Sequence, residues 1–184
     1  MRPAGMLLGV FLLLAPAGAM ASEPSEAEPT SDPRARMKAL DFLVGEWEGE
    51  AWVQMGPGPR ETVRQREWVE WEVDGEVLLI RGLGMQTDPQ SGEERIGHQA
   101  LATVAWDPHR QVYEMWSYAR GRGTGHRDIE VRDRGFVWIQ AVPGGKTRYT
   151  MHLDEQGRWL ESGEFTPDDG VTWHLFLEMT LTRR

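Results

Sequence analysis

Residues 171–183 read VTWHLFLEMTLTR, and this stretch decides the fold class because apolar and more polar side chains alternate along it. A period of two is typical of a β-strand that turns one face toward a core. We therefore predict a strand here, and we expect its inward face to carry Trp173, Leu175, Leu177, Met179 and Leu181.

Nine other segments are rich in Val, Ile, Thr and aromatic residues, and short turn sequences such as DG, DRG, PGGK and EQG separate many of them. Tight turns favour antiparallel pairing between neighbours in the chain. We predict an all-β fold, an antiparallel up-and-down β-barrel of about nine or ten strands, with a two-sheet sandwich as the alternative. The predicted strands are 46–55, 61–73, 76–86, 96–106, 111–119, 126–132, 135–142, 147–154, 158–165 and 171–183.

One short helix precedes the strands. Asp32 suits its N-cap, Pro33 its first position and Gly45 its C-terminal stop. The side chains that share its apolar face are Met37, Leu40 and Val44.

The N-terminus predicts export. Residues 1–21 combine the basic Arg2, an apolar run and the small residues Ala19 and Ala21, which together are typical of a secretory signal peptide. Residues 22–36 are predicted to be a disordered acidic linker that leads into the helix, and residues 37–184 a single barrel domain. We expect a secreted or periplasmic protein with no membrane association after cleavage.

Composition excludes several classes of function. The net charge of −9 argues against binding to nucleic acid or to an anionic membrane. The absence of Cys excludes disulfides and thiolate metal sites, and none of the five His pair at the short spacings of a familiar zinc motif. No familiar catalytic motif is present, which favours a binding protein over an enzyme.

Two charged residues fall on faces that are otherwise apolar or small. In its segment Arg81 alternates with four apolar residues, and Glu161 alternates with Trp159, Gly163 and Phe165. An inward charge needs a partner. Arg81 and Glu161 are therefore predicted either to form a buried ion pair or, in the case of Arg81, to anchor an acidic ligand.

The segment 96–106 places His98, Ala100, Ala102, Val104 and Trp106 on one face, where the two alanines leave room for a ligand or for neighbouring Trp rings. His98 is either a core residue or a ligand contact. The predicted ligand-binding residues are Arg81, His98, Trp106, Glu161 and Trp173, and the predicted ligand is an apolar or amphipathic acid. The alternative is a hydrolase or isomerase that uses Glu161, His98 and Arg81.

The sequence LDFLVGEWEGEAWV at 40–53 resembles the Gly-x-Trp start of lipocalins and other calycin barrels. This resemblance implies that Gly45 and Trp47 form the barrel floor and that Arg183 or Arg184 packs on Trp47. The segments 113–118, 148–165 and 173–183 are similar to an exported bacterial family of lipocalin-like barrels whose function is unknown.

A fainter similarity, carried by Gly45, Trp47 and Gly49, is to nitrobindin-type barrels. It implies haem binding through a His near the start of the last strand, which is His174 here. The alternation predicts that His174 points outward, so we expect no cofactor and keep haem as the alternative. Outward-facing tryptophans would favour a carbohydrate-binding module, and the candidates are Trp52, Trp68 and Trp116.

Overall fold

The computed structural model describes residues 32–184 and contains ten antiparallel strands in one closed barrel. Each strand pairs with its neighbours in the chain, and β1 closes the barrel against β10. The predicted all-β barrel of about nine or ten strands is therefore confirmed. The strands are β1 (Gly45–Val53), β2 (Glu61–Glu72), β3 (Val77–Thr87), β4 (Glu94–Asp107), β5 (Val112–Ala119), β6 (Gly123–Arg132), β7 (Gly135–Val142), β8 (Gly145–Leu153), β9 (Trp159–Thr166) and β10 (His174–Arg183).

The predicted helix is also confirmed. α1 (Pro33–Met37) continues into a 3₁₀ turn (Lys38–Leu43), and the Asp32 carboxylate caps α1 by accepting a hydrogen bond from the backbone N–H of Arg34 at 3.0 Å. The apolar residues Met37, Leu40 and Leu43 are at most 1% exposed and join the barrel core. The segment thus covers one end of the barrel, called the helix end below; the opposite end is called the far end.

Most predicted inward faces are correct. Ala102, Val104 and Trp106 of β4 turn inward as expected, and Leu177, Met179 and Leu181 do so in β10. The prediction for Leu175 is wrong because the register of β10 shifts between Leu175 and Leu177, which leaves Leu175 42% exposed. The same irregularity turns Phe176 toward the barrel interior.

The face prediction for β3 is wrong. Its inward face carries Leu78, Ile80, Gly82, Gly84 and Gln86. Leu79 and Leu83 lie on the outer face and are partly exposed, which is ordinary for single apolar residues on a protein surface. Large apolar residues of β3 lie on its outer face, so the alternation predicted the wrong face as the inward one.

The predicted signal peptide and most of the predicted linker lie outside the described residues. Between residues 32 and 184, no helix combines the length and the apolar character needed to cross a membrane.

Candidate functional site: an internal cavity

A cavity of about 330 Å³ lies inside the barrel, between the core at the helix end and the far end. Residues of all ten strands line it, and Trp159 lies at its helix end beside Trp47. The wall is mixed: aromatic rings and small residues alternate with several polar side chains. Small-molecule sites in proteins are typically concave and mostly apolar, with a few placed polar groups.

Glycines on β3 make the room for polar side chains of β2. Gly82 pairs with Glu67 and Gly84 pairs with Gln65 in the β2–β3 register. A Cβ atom at Gly82 would lie 2.7 Å from Glu67 Oε1, and one at Gly84 would lie 2.5 Å from Gln65 Oε1. The missing side chains thus let Glu67 and Gln65 lie against the barrel wall.

Two carboxyl groups face the cavity. Glu67 is 8% exposed, and its Oε1 accepts a hydrogen bond from Gln65 Nε2 at 2.7 Å. Burial raises the pKa of Glu67 to about 8, the Gln65 hydrogen bond opposes this, and the charge of Glu161 adds to it. Burial also raises the pKa of Glu161 to about 7, against the hydrogen bond that its Oε2 accepts from Trp159 Nε1 at 3.2 Å.

Basic side chains also line the cavity. Arg127 Nη1 donates to Ser117 Oγ at 3.0 Å, while its buried Nε has no hydrogen-bond partner among the described residues. Burial lowers the pKa of Arg127. His98 and Arg122 line the same cavity. The pKa of His98 is lowered mainly by burial and to a smaller extent by the charge of Arg122.

Aromatic rings line the cavity together with these charged side chains. Trp138 and Tyr149 stack with centroids 4.8 Å apart, and Phe176 meets Tyr149 edge-on at 5.8 Å. Burial raises the pKa of Tyr149, the Glu161 charge raises it further, and Arg127 opposes the rise. Tyr149 therefore lies within electrostatic range of both an acidic and a basic side chain.

The predicted site residues divide into two groups. Glu161 and His98 line the cavity, as their alternation predicted. Arg81 does not: its side chain is 48% exposed, and its Nη2 donates to Glu70 Oε1 at 2.6 Å on the outer surface. The predicted Arg81–Glu161 pair is therefore wrong, because the inward face of β3 belongs to the neighbouring residues.

The two predicted tryptophans lie elsewhere. Trp106 is 8% exposed in the core, where its ring meets Tyr113 at 4.8 Å and Arg36 lies 4.8 Å from its centroid. Trp173 precedes β10, and the guanidinium of Arg148 lies 4.1 Å from its ring centroid. Neither is among the described residues that line the cavity.

The barrel floor has the geometry that the lipocalin resemblance implies. The guanidinium of Arg183 lies 4.1 Å from the Trp47 ring centroid and donates hydrogen bonds to the carbonyls of Val44 and Phe42. Trp47 Nε1 donates to Leu43 O at 2.8 Å. Gly45 has a φ of 137°, a conformation that favours glycine where the helical segment turns into β1.

Glu67 and Arg127 were not identified from the sequence. A signal for Glu67 is present in β2, where Val63, Gln65, Glu67 and Val69 alternate with Arg64, Arg66, Trp68 and Glu70. The second set is more strongly charged, which assigns the first set to the interior. A signal for Arg127 is present in β6 as well, where Arg127, Ile129 and Val131 alternate with the charged or polar His126, Asp128 and Glu130.

The outward tryptophans differ in exposure. Trp116 is 45% exposed and stacks on His126 with centroids 4.1 Å apart, while Trp52 and Trp68 are partly exposed. Arg60 lies 3.6 Å over the ring of Trp52. At least one face of Trp52 and one of Trp116 is therefore covered by a side chain of the protein itself.

His174 is exposed at the far end of β10 and is not among the described residues that line the cavity. Residues 32–184 contain no group of three or more His, Cys, Asp or Glu side chains arranged to hold a metal ion. Comparison with protein-family models and with curated proteins finds no match to this chain.

Proposed function

We propose that the protein binds a small amphipathic acid inside the barrel and that Arg127 holds the carboxylate of this ligand. The observation that carries the proposal is the Arg127 guanidinium, which lines the cavity without an ion pair in the described chain and has a buried, unpartnered Nε. A carboxylate accepts two parallel hydrogen bonds from a guanidinium.

The remaining wall suits a short apolar body. Apolar surface in the same cavity is offered by Met115, Phe136, Trp138, Ala100 and Ala102. A volume of about 330 Å³ lies at the lower end of the range of about 300–1,000 Å³ for small-molecule pockets. Short- to medium-chain acids therefore fit this cavity better than long-chain fatty acids.

The test compares two arginines. Isothermal titration with hexanoic, octanoic and decanoic acid should detect binding to the wild-type protein. Arg127→Met should weaken binding at least about tenfold, because charged hydrogen bonds contribute about 1.5–3 kcal/mol. Arg81→Met is the matched control on the outer surface and should leave binding unchanged. Equal binding by the Arg127 variant would refute the proposed anchor.

We also propose export and membership of the exported family of lipocalin-like barrels. The signal-like residues 1–21 support the first, and the closed barrel that begins at Gly45-Glu46-Trp47 supports the second. N-terminal sequencing of the protein from its native source should find a mature chain that begins at Ser22. A chain that begins at Met1 would contradict export.

A second candidate is a hydrolase or isomerase, favoured by Glu161 and His98 lining one cavity. The outward position of Arg81 removes one member of the predicted cluster. Turnover of a small ester or lactone that is lost in Glu161→Gln would favour this candidate over a simple binding protein.

A further inference from the structure

Glu67 and Glu161 face the cavity without a counter-ion. Glu67 accepts a hydrogen bond from Gln65 and Glu161 accepts one from Trp159, and within residues 32–184 neither carboxyl group forms an ion pair. The two groups are close enough for the charge of one to act on the other. One cavity thus holds two carboxyl groups whose ionised forms repel each other.

The fold holds the Glu67 carboxyl group in the cavity wall although its burial destabilises the protein. Burying a carboxyl group without a cation destabilises a protein, and an apolar residue of similar size would be more stable at the same place. Yet Gly82, which pairs with Glu67, leaves the space that the carboxyl group occupies, and Gly84 does the same for its hydrogen-bond donor Gln65. Three positions on two strands therefore combine to hold one costly group at the cavity wall.

The surroundings of the two carboxyl groups favour a cation. Trp159 contacts Glu161, and the rings of Trp138, Tyr149 and Phe176 line the same cavity. Aromatic faces attract cations through the negative potential of the ring, and two carboxylates offer several acceptor sites for an ammonium group. The basic side chains that line the cavity are Arg122, Arg127 and His98.

We propose that Glu67 and Glu161 bind an ammonium group of the ligand, so that the ligand is an amino acid with separated charges: a primary amine at the glutamates, an apolar spacer and a carboxylate at Arg127. The carboxylate end rests on the proposed function, whereas the amine end rests on the two glutamates alone.

The first experiment measures the affinity of the purified protein at pH 7.5 for three series of four to eight carbons: ω-amino acids, plain carboxylic acids and alkylamines. We expect at least one ω-amino acid to bind at least tenfold more tightly than the acid and the amine of equal length. Titration in buffers of different ionisation enthalpy should also detect proton release on binding, because the ammonium group favours the ionised carboxylates.

The second experiment uses variants of nearly equal shape. Glu67→Gln and Glu161→Gln should each remove most of the gain that the amine provides, while the plain acids bind as before. Glu67→Gln should also remove most of the proton release, because Glu67 has the higher pKa of the two groups. Glu155→Gln, in the exposed turn between β8 and β9, is the control and should change nothing.

Equal affinity for amino acids and plain acids, or a gain that survives both glutamate variants, would overturn the ammonium site and leave the Arg127 proposal intact. Alkylamine binding that depends on the glutamates, without binding of any acid, would support the ammonium site and refute the Arg127 anchor. Binding of neither amines nor amino acids would overturn the ammonium site.

Discussion

The two ends of this barrel are built differently. At the helix end, Trp47, Leu43 and Leu181 are at most 1% exposed, and Trp47 meets Trp159 edge-on at 5.6 Å. Toward the far end, Gly82, Gly84 and Ala100 face inward and a cavity of about 330 Å³ remains. Large side chains fill the helix end as a core layer, whereas glycine and alanine among the aromatic rings leave room for a cavity layer toward the far end.

The largest expected effect is a loss of stability, and it is compared between one substitution in the core layer and one in the cavity layer. Trp47→Ala removes a fully buried ring and its hydrogen bond to Leu43, and we expect it to lower the free energy of unfolding by about 3–5 kcal/mol. Phe176→Ala removes a ring that borders the existing cavity, and its loss in the free energy of unfolding should be less than about half of the loss in Trp47→Ala. Urea denaturation of both variants measures the difference; equal losses would contradict the division into layers.

The cavity layer should also make stability depend on pH. Unfolded Glu67 ionises near its ordinary pKa of 4.5, whereas the pKa of Glu67 in the folded protein is about 8. Between these values the folded state binds more protons, so stability falls as pH rises through this window, by up to about 1.4 kcal/mol per pH unit. The same sign holds for Glu161 up to about pH 7.

Melting curves between pH 5 and pH 8 check this dependence. Glu67→Gln should reduce the fall in melting temperature, because its amide does not titrate, and Glu155→Gln should leave the fall as it is. A wild-type protein that becomes more stable over this range, with no change in the Glu67 variant, would contradict a buried neutral Glu67.

A glycine-to-alanine substitution can be made in both layers and compares how rigid the two walls are. A Cβ atom at Gly49 would collide with the backbone carbonyl of Thr180, so β1 and β10 would have to separate. At Gly84 it would meet the side chains of Gln65 at 2.5 Å and Val63 at 2.6 Å, which can rotate into the cavity. We expect Gly49→Ala to cost about 2–3 kcal/mol and Gly84→Ala about 1 kcal/mol in urea denaturation. The reverse order would show that the wall around the cavity is the more rigid one.

The smallest expected effect compares two arginines. Arg183 covers Trp47 and donates to two carbonyls of the helical segment, so Arg183→Met should lower stability by about 1–2 kcal/mol. Arg81→Met breaks an exposed pair with Glu70 and should cost less than about 1 kcal/mol. Thermal unfolding measures both; a larger loss for Arg81 would mean that this outer pair contributes more than exposed pairs do.

The sequence predicted the core layer more accurately than the cavity layer. Where inward residues are large and apolar, as in the last part of β10 and in the Gly45–Trp47 start, alternation predicted the fold and the floor correctly. In β3 the inward side carries Gly82, Gly84 and Gln86, so Leu79 and Leu83 on the outer side made the wrong face the more apolar one. Alternation rests on the contrast between core and solvent, and the glycines and Gln86 that face the cavity remove that contrast in β3.

The pairing of β1 with β10 has a consequence for the order of events during synthesis. Trp47 pairs with Arg183, and the backbone N–H of Arg184 donates to Glu46 O at 2.9 Å. The second edge of β1 therefore cannot be paired until β10 has been synthesised. Until then the edge of β1 is open to pairing with another chain, and contacts between residues so distant in sequence form slowly. The edge of β1 is thus exposed to misassembly until β10 has been synthesised, and a deletion of β10 would leave that edge unpaired permanently.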